Sequence, residues 1–312
     1  MAAKMGRPDR RDAGGTTLFV DVLIGIPGAA SAAATLPLIL KGIRERAELE
    51  VRERPELERI RIAVHPMDPA DFNPQAGTPP LFRHVRGSDR RGAILIHPLE
   101  ESAAAWVARR IMAVSVLARH GRLGVDAIDI DDGGAISSMV GRLHAAGHAR
   151  IGFLSGDRPA GCRQAARRFG GYAKELGARG LKLNRDWVLN ARRNGPRLEP
   201  SQAAEIAALR TRESGVTAWV CAEDHHAYQL IQRLEAAGLR VPQDCSVTGF
   251  GGIEPPAGLP RATSLRAPHE HIGSSALTRM VNRVMYPSSP RRKILVEAQF
   301  VPGETVASPR RP

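Results

Sequence analysis

The sequence predicts an α/β protein built on parallel sheets, and three observations carry that reading. Apolar, β-branched runs of strand length recur along the 312 residues, near-continuous rather than alternating, as in strands covered on both faces. Segments of helical periodicity stand between most of them, the order of right-handed βαβ units. Several of those segments stop at a glycine, which supplies the left-handed C-cap that turns the chain into the next strand.

Strands are read at 18–24 (LFVDVLI), 61–65 (RIAVH), 93–97 (AILIH), 112–117 (MAVSVL), 125–130 (VDAIDI), 150–155 (RIGFLS), 218–222 (AWVCA) and 246–250 (SVTGF). Helices are read at 29–48, 101–110, 134–146, 164–176, 201–212 and 224–237, with C-cap glycines at Gly147, Gly177, Gly180 and Gly238. The alternation pauses between Glu48 and Gly92, a stretch rich in proline and charge that fits one strand, and 68–89 reads as a long loop, partly disordered. A last helix at 268–286 leads through PSSPRRK to ILVEAQFVPGETV at 294–306, which reads as a terminal edge strand.

Composition excludes several function classes. Hydrophobic residues at 43% and charged residues at 25% are globular values, and no apolar run approaches the roughly 18 residues of a membrane span. Residues 1–15 form a basic tail without the apolar core of a secretory signal, so the expected location is cytoplasmic. Cys162, Cys221 and Cys245 are odd in number and show no CxxC spacing, the pattern of reduced structural thiols. The net charge of +13 leaves two readings open, a polyanion surface or a coding bias toward arginine. The arginines are scattered in pairs such as Arg109-Arg110, Arg167-Arg168, Arg192-Arg193 and Arg291-Arg292, with no aromatic residues between them.

No catalytic constellation stands out. Neither Ser155 nor Ser246 lies in a G-x-S-x-G elbow, and no carboxylate pair has assignable acid and base roles, so an enzyme is not expected. His225-His226 and His269-Glu270-His271 fall on different elements, and adjacent helical histidines diverge by about 100°, so no metal site is expected. No cofactor is expected either. The stretch VTGFGGIEPP at 247–256 is not a phosphate loop: G-x-G-x-x-G needs glycine where Glu254 stands, and Pro255-Pro256 forbid the helix that should follow. Gly6-Arg7-Pro8 lacks the basic residue before it that a minor-groove hook would carry, having Met5 there, and reads as tail.

From Gly141 onward the wording becomes specific. RLHAAGHARIGFLSG, ARRFGGYAKELGARG, TAWVCAEDHHAYQLIQRLEAAGLRVPQDCSVTGFGG and RATSLRAPHEHIGSSALTRM together resemble the effector-binding core of LacI/GalR-type transcription regulators. The likeness is strong over 141–307 and collinear but weaker over 16–140, where GAILIHP and VDAIDIDDGGA still fit. It implies a periplasmic-binding-protein-like type I fold, two doubly wound parallel-sheet lobes with a multi-crossover hinge. The N-terminal lobe would comprise 16–149 plus about 267–290, the C-terminal lobe 150–266 plus about 291–307, with 308–312 a tail.

The resemblance also implies a small polar effector, sugar-like by family default, held in the interlobe cleft at the strands' C-terminal ends, and a homodimer. Arg168 matches the family arginine that reaches ligand hydroxyls or carboxylate, the alternative being a solvated charge beside Arg167. On that matching, Arg168→Ala should abolish ligand stabilisation and leave the apo fold intact. Asp132 matches a cleft-lining position on the other lobe from Arg168, unless Asp131 or Asp132 simply caps the next helix. Glu223 and Asp224 stand where the family has Asn-Asp, the first facing ligand and the second capping a helix. Cys162 or Arg158 falls where a polar side chain lines the pocket. Phe250 ends a strand, and Gly251 occupies the place of a family aspartate, so the glycine pair marks a missing acceptor. About 15 residues precede the first strand, so DNA contact would need a helix-turn-helix headpiece supplied upstream or in trans. The competing reading is a free-standing solute-binding or sensor protein without a DNA role.

Overall fold

The computed structural model describes residues 15–25, 30–67, 87–96, 99, 101–117, 124–156, 163–190 and 198–310. Its elements run β1 (Thr16–Gly25), α1 (Ala30–Glu53), β2 (Leu57–Met67), β3 (Arg90–Ile96), α2 (Glu101–Ala108), β4 (Met112–Val116), β5 (Asp126–Ile130) and α3 (Asp132–Ala145). There follow β6 (Ile151–Leu154), α4 (Arg163–Ala178), β7 (Val188–Leu189), α5 (Pro200–Ser214), β8 (Ala218–Cys221), α6 (Asp224–Ala236) and β9 (Ser246–Thr248). The chain ends with β10 (Ser264–Arg266), α7 (His269–Met285), β11 (Lys293–Val296) and β12 (Gln299–Val301). It divides into two compact units, Met1–Asp129 with His269–Leu295 and Ile130–Pro268 with Val296–Pro312.

The first unit is a six-stranded sheet in the order β11-β5-β4-β3-β1-β2, parallel from β5 through β2. Period-two alternation sends successive side chains to opposite faces. Val20, Val22 and Ile94 share the face of Gly92, whose missing side chain leaves room for Met280 of α7. Leu23, Ala93 and Leu95 point the other way, onto Ala103, Ala104 and Val107 of α2. Burial on both faces is why these strands read as unbroken apolar runs. Edge strand β2 departs from that expectation: Arg59, Arg61 and Ala63 are exposed while Ile60, Ile62 and Val64 are half-buried, the alternating pattern of a strand with one open face. Against the sheet, α1 and α7 approach at glycines, where a Cβ on Gly42 or Gly273 would meet the opposing backbone at 1.9 or 2.1 Å.

The second unit is a four-stranded parallel sheet, β7-β6-β8-β9, with a separate antiparallel pair, β10 and β12. On one face Leu154, Trp219, Cys221 and Val247 pack with the small residues of α5 and the apolar stripe of α6. Gly152 is bare because the Trp219 ring lies over it. On the other face Phe153 forms an aromatic group with Phe169 and Tyr172 of α4, and the Tyr172 hydroxyl donates to Ile151 O at 2.8 Å. The C-terminal segment is tied back by Thr305, whose hydroxyl donates to Val247 O at 2.5 Å and accepts from Thr263 N at 2.9 Å.

Four details differ from the sequence reading. The division between units falls after Asp129, not after 149, because α3 packs along α4 and against β8 and so goes with the second unit. The chain crosses back between Pro268 and His269, and its third crossing lies between Leu295 and Val296. The single terminal strand at 294–306 is two short strands, since β11 closes the first unit's sheet while β12 pairs with β10. Gly177 stays inside α4, and Gly180 adopts the left-handed conformation at φ 68°. Residues 1–14 of the basic tail and 68–86 of the loop lie outside the described residues.

Candidate functional site

Open α/β sheets present ligands to the C-terminal ends of their strands, where the following helices begin. In the second unit that end gathers the first turns of α3, α4 and α6 and the loop after β9. The sequence feature that assembles it is R-x-x-G-Y at 168–172. Gly171 lets α4 press on α3: a Cβ there would stand 2.2 Å from Gly133 O. Tyr172 anchors α4 to β6, and Arg168 reaches inward.

Arg168 is not a solvated charge. It is 6% exposed, its Nε donates to Asp132 Oδ1 at 2.8 Å, and its Nη1 donates to Ala222 O at 2.7 Å. The guanidinium lies over Phe250, 3.7 Å from ring carbon centroid to Cζ, a desolvated cation–π stack. Arg167, expected only as a neighbour, binds the other oxygen of Asp132 through Nε at 2.9 Å and Nη2 at 2.6 Å. Asp132 is fully buried between the two arginines, while Asp131 does the capping, accepting from Gly134 N at 3.1 Å. These bonds argue that Arg168→Ala costs stability in the apo fold as well as ligand contact. Removing the guanidinium strips a buried carboxylate of half its partners.

Asp224 is 1% exposed and serves the loop rather than a helix cap. Its Oδ1 accepts from the Ser264 hydroxyl at 2.6 Å and its Oδ2 from Ile253 N at 2.9 Å. Burial holds its carboxyl above the usual range, opposed by those hydrogen bonds. The carboxylate explains VTGFGG: a Cβ on Gly249 would stand 2.0 Å from Asp224 Oδ1. Gly251 has φ 143° and Gly252 φ 65°, so the backbone here is shaped for residues without side chains. An aspartate at 251 would be strained as the loop stands. Arg266 closes the loop by donating to Gly252 O at 2.9 Å.

Glu223 occupies the N-cap of α6 with no side-chain capping bond, and it is exposed at the strand end. Its neighbour His226 was set aside in the sequence as a poor metal ligand. The structure lays its ring over Gly156, at the end of β6, where a Cβ would stand 2.1 Å from Nε2. Burial is the main cause that pushes the His226 pKa down, with Glu223 opposing it. The adjacent HH after a strand end is the signal that could have found it. Cys162 and Arg158 lie outside the described residues. Among the described residues, no group of three His, Cys, Asp or Glu side chains is arranged to hold a metal ion, and no helix is long and apolar enough to cross a membrane.

The cluster can hold, orient and exclude water from a polar molecule, and no nucleophile–base pair stands among its described residues. Parallel strand ends, a buried forked cation and an aromatic stacking face define a binding protein of the doubly wound class. Comparison with known proteins agrees. Residues 140–306 match the family described as periplasmic binding protein-like domain. The chain belongs to that family, as an effector-binding domain of LacI/GalR type. It is 31% identical over 161 residues to the HTH-type transcriptional repressor PurR of Photobacterium profundum, covering 50% of this chain and 45% of that protein. It is 28% identical over 164 residues to the ribose operon repressor of Haemophilus influenzae, covering 52% and 48%. The matched segment thus spans about half the length of these relatives. In fold, the chain is similar to the transcriptional regulator CelR–cellobiose complex, with a TM-score of 0.66 at 19% identity over 92% of this chain and 84% of that one. It is likewise similar to a LacI family transcriptional regulator from Mycobacterium smegmatis, with a TM-score of 0.64 at 20% identity over 93% and 100%.

Proposed function

We propose that this chain is the ligand-sensing part of a LacI/GalR-like transcription regulator, with a small polar effector bound at the strand ends of the second unit and no chemistry performed on it. The observation that carries the reading is the buried Arg168–Asp132 pair stacked on Phe250. A forked cation held on one side by a carboxylate and on another by an aromatic ring is pre-oriented for a ligand. Arg168, Phe250 and Glu223 are the ligand-facing residues in this reading. Asp132 orients Arg168, and Asp224 shapes the loop that carries Gly251. The named relatives, which are repressors, support the regulatory role; a homodimer and a cytoplasmic location are part of the same proposal. Binding would shift a conformational equilibrium by differential affinity, and DNA contact would come from a headpiece upstream or in trans.

Thermal melting of the purified chain across small polar metabolites tests the sensing role. At least one should raise the Tm of the wild type and not that of Arg168→Gln; uniform silence overturns it. For the regulatory role, the coding sequence in frame upstream of Met1 should encode a helix-turn-helix. If it encodes none and the chain fails to bind promoter DNA at low salt, direct regulation is overturned and a free-standing sensor remains.

A further inference from the structure

The class of ligand follows from which polar groups at the strand ends are already spent; the step rests on the ligand site proposed above. A neutral polyol presents hydroxyl protons and needs acceptors, whereas a carboxylate or phosphate needs donors alone. Most of the acceptors here are already engaged, apart from the Ser155 hydroxyl, the His226 ring and Glu223. Both oxygens of Asp132 are held by arginines, and both oxygens of Asp224 by Ser264 and Ile253. Among the carbonyls, Ala222 O takes Arg168, Phe250 O takes Asp224 N at 3.0 Å, and Gly252 O takes Arg266. Gly251 adds no side chain. Among the described residues at these strand ends, Glu223 is the carboxylate that no side-chain hydrogen bond occupies.

Donors remain. Among the described residues, Arg168 spends Nε and one hydrogen of Nη1 and makes no hydrogen bond through Nη2, although the residue is 6% exposed. Its helix sharpens the point. α4 opens with Arg163, carries Arg167 and Arg168 in its second turn and has no acid in its first. Arginines at the positive end of a helix dipole run against the usual placement of charge, so the guanidinium and the dipole add instead of cancelling. A local rule broken next to a binding cluster marks function more often than accident.

We infer that the site selects an anionic small molecule, one bearing a carboxylate or phosphate gripped by the free edge of Arg168 at the start of α4, over a neutral sugar. Matched pairs that differ in charge alone test this by thermal melting: D-glucose against D-glucuronate and glucose 6-phosphate, and D-ribose against ribose 5-phosphate. A charged member should raise the Tm where its neutral partner does not, and the shift should shrink at high salt. Arg168→Gln should weaken that binding by about tenfold or more, the loss of a charge-assisted hydrogen bond. Glu223→Gln, on an exposed side chain outside the buried network, should tighten it about threefold by removing a like charge. If Arg168→Gln fails to fold, Glu223→Gln decides alone, and unchanged or weaker anion binding overturns the inference. A neutral sugar that binds as well as its charged partner overturns the anionic class and leaves the sensing role standing. Silence from every member overturns both.

Discussion

Asp126 opens strand β5 and Asp132 follows its end, and each holds two arginines, yet the two clusters do different work. In the first unit Asp126 accepts from Arg279 Nε at 2.7 Å, pairs with Arg283 Nε at 3.0 Å and accepts from Arg292 N at 2.6 Å. The outer nitrogens of those arginines are absorbed by one loop: Arg279 donates to Pro290 O at 2.6 Å, and Arg283 to Ser289 O at 2.6 Å. In the second unit, among the described residues, Arg168 reaches a single carbonyl and keeps an edge free. The pairing chemistry is shared. A guanidinium enclosed by backbone carbonyls locks a loop to a sheet, and the same group at the C-terminal ends of strands keeps hydrogen bonds to give.

The comparison can be broken most directly at the carboxylates. Asp126→Ala leaves two enclosed guanidiniums without their anion and should cost about 3–5 kcal/mol in chemical denaturation, with no effect on ligand affinity in whatever population folds. Asp132→Ala should cost less, about 2–3 kcal/mol, because Arg167 is partly exposed and Arg168 keeps Ala222 O, but it should abolish the ligand-induced rise in Tm. The reverse order of stabilities, or a retained ligand response in Asp132→Ala, would remove the distinction. Gly171→Ala sharpens it further. The added methyl forces α4 away from Gly133 O at about 1–3 kcal/mol and should weaken ligand binding more than a stability-matched change in the first unit.

The smallest effect is a pH dependence. His148 Nδ1 lies 2.9 Å from the Thr217 hydroxyl, and Nε2 donates to Ala307 O at 2.9 Å, in a buried setting that favours the neutral ring. Burial, the larger cause, lowers its pKa from 6.5 against that carbonyl bond; burial lowers His226 and His269 in the same direction. Below 6.5 the unfolded chain gains protons that the folded chain refuses, so stability is full above that pH and falls as pH drops through it toward the folded values. Urea midpoints measured on either side of that window should show the decline, and His148→Gln should flatten part of it. A slope that His148→Gln leaves untouched would assign the acid sensitivity elsewhere.

Much of the fold was legible because strands and helices announce themselves through burial. LFVDVLI, GAILI and AWVCA are buried on both faces and read as unbroken apolar runs, while RIRIAV alternates because β2 is an edge with one open face. The unit boundary was misplaced because α3 carries an ordinary amphipathic pattern, and nothing in that pattern says which sheet it covers. At the site, Arg168, Asp132, Asp224 and Phe250 were reachable through family wording. The role of Arg167 was not, since its neighbour's spacing says nothing about a carboxylate on another helix. Nor was the role of Ser264, which meets Asp224 only because the loop after β9 folds back over α6.

By itself the sequence determined the alternation of strands and helices, the parallel sheets and the R-x-x-G-Y and GLRVP wording that places the chain among effector-binding domains. Those properties are local, set by side-chain periodicity, turn residues and short-range spacing. Tertiary structure alone decided which aspartate each arginine meets, that Asp224 is spent on a glycine loop, and that Arg168 keeps an edge free. Hydrogen bonds act over a few tenths of an ångström, and the distance between Arg168 and Asp132 exists only once Gly171 has let two helices touch.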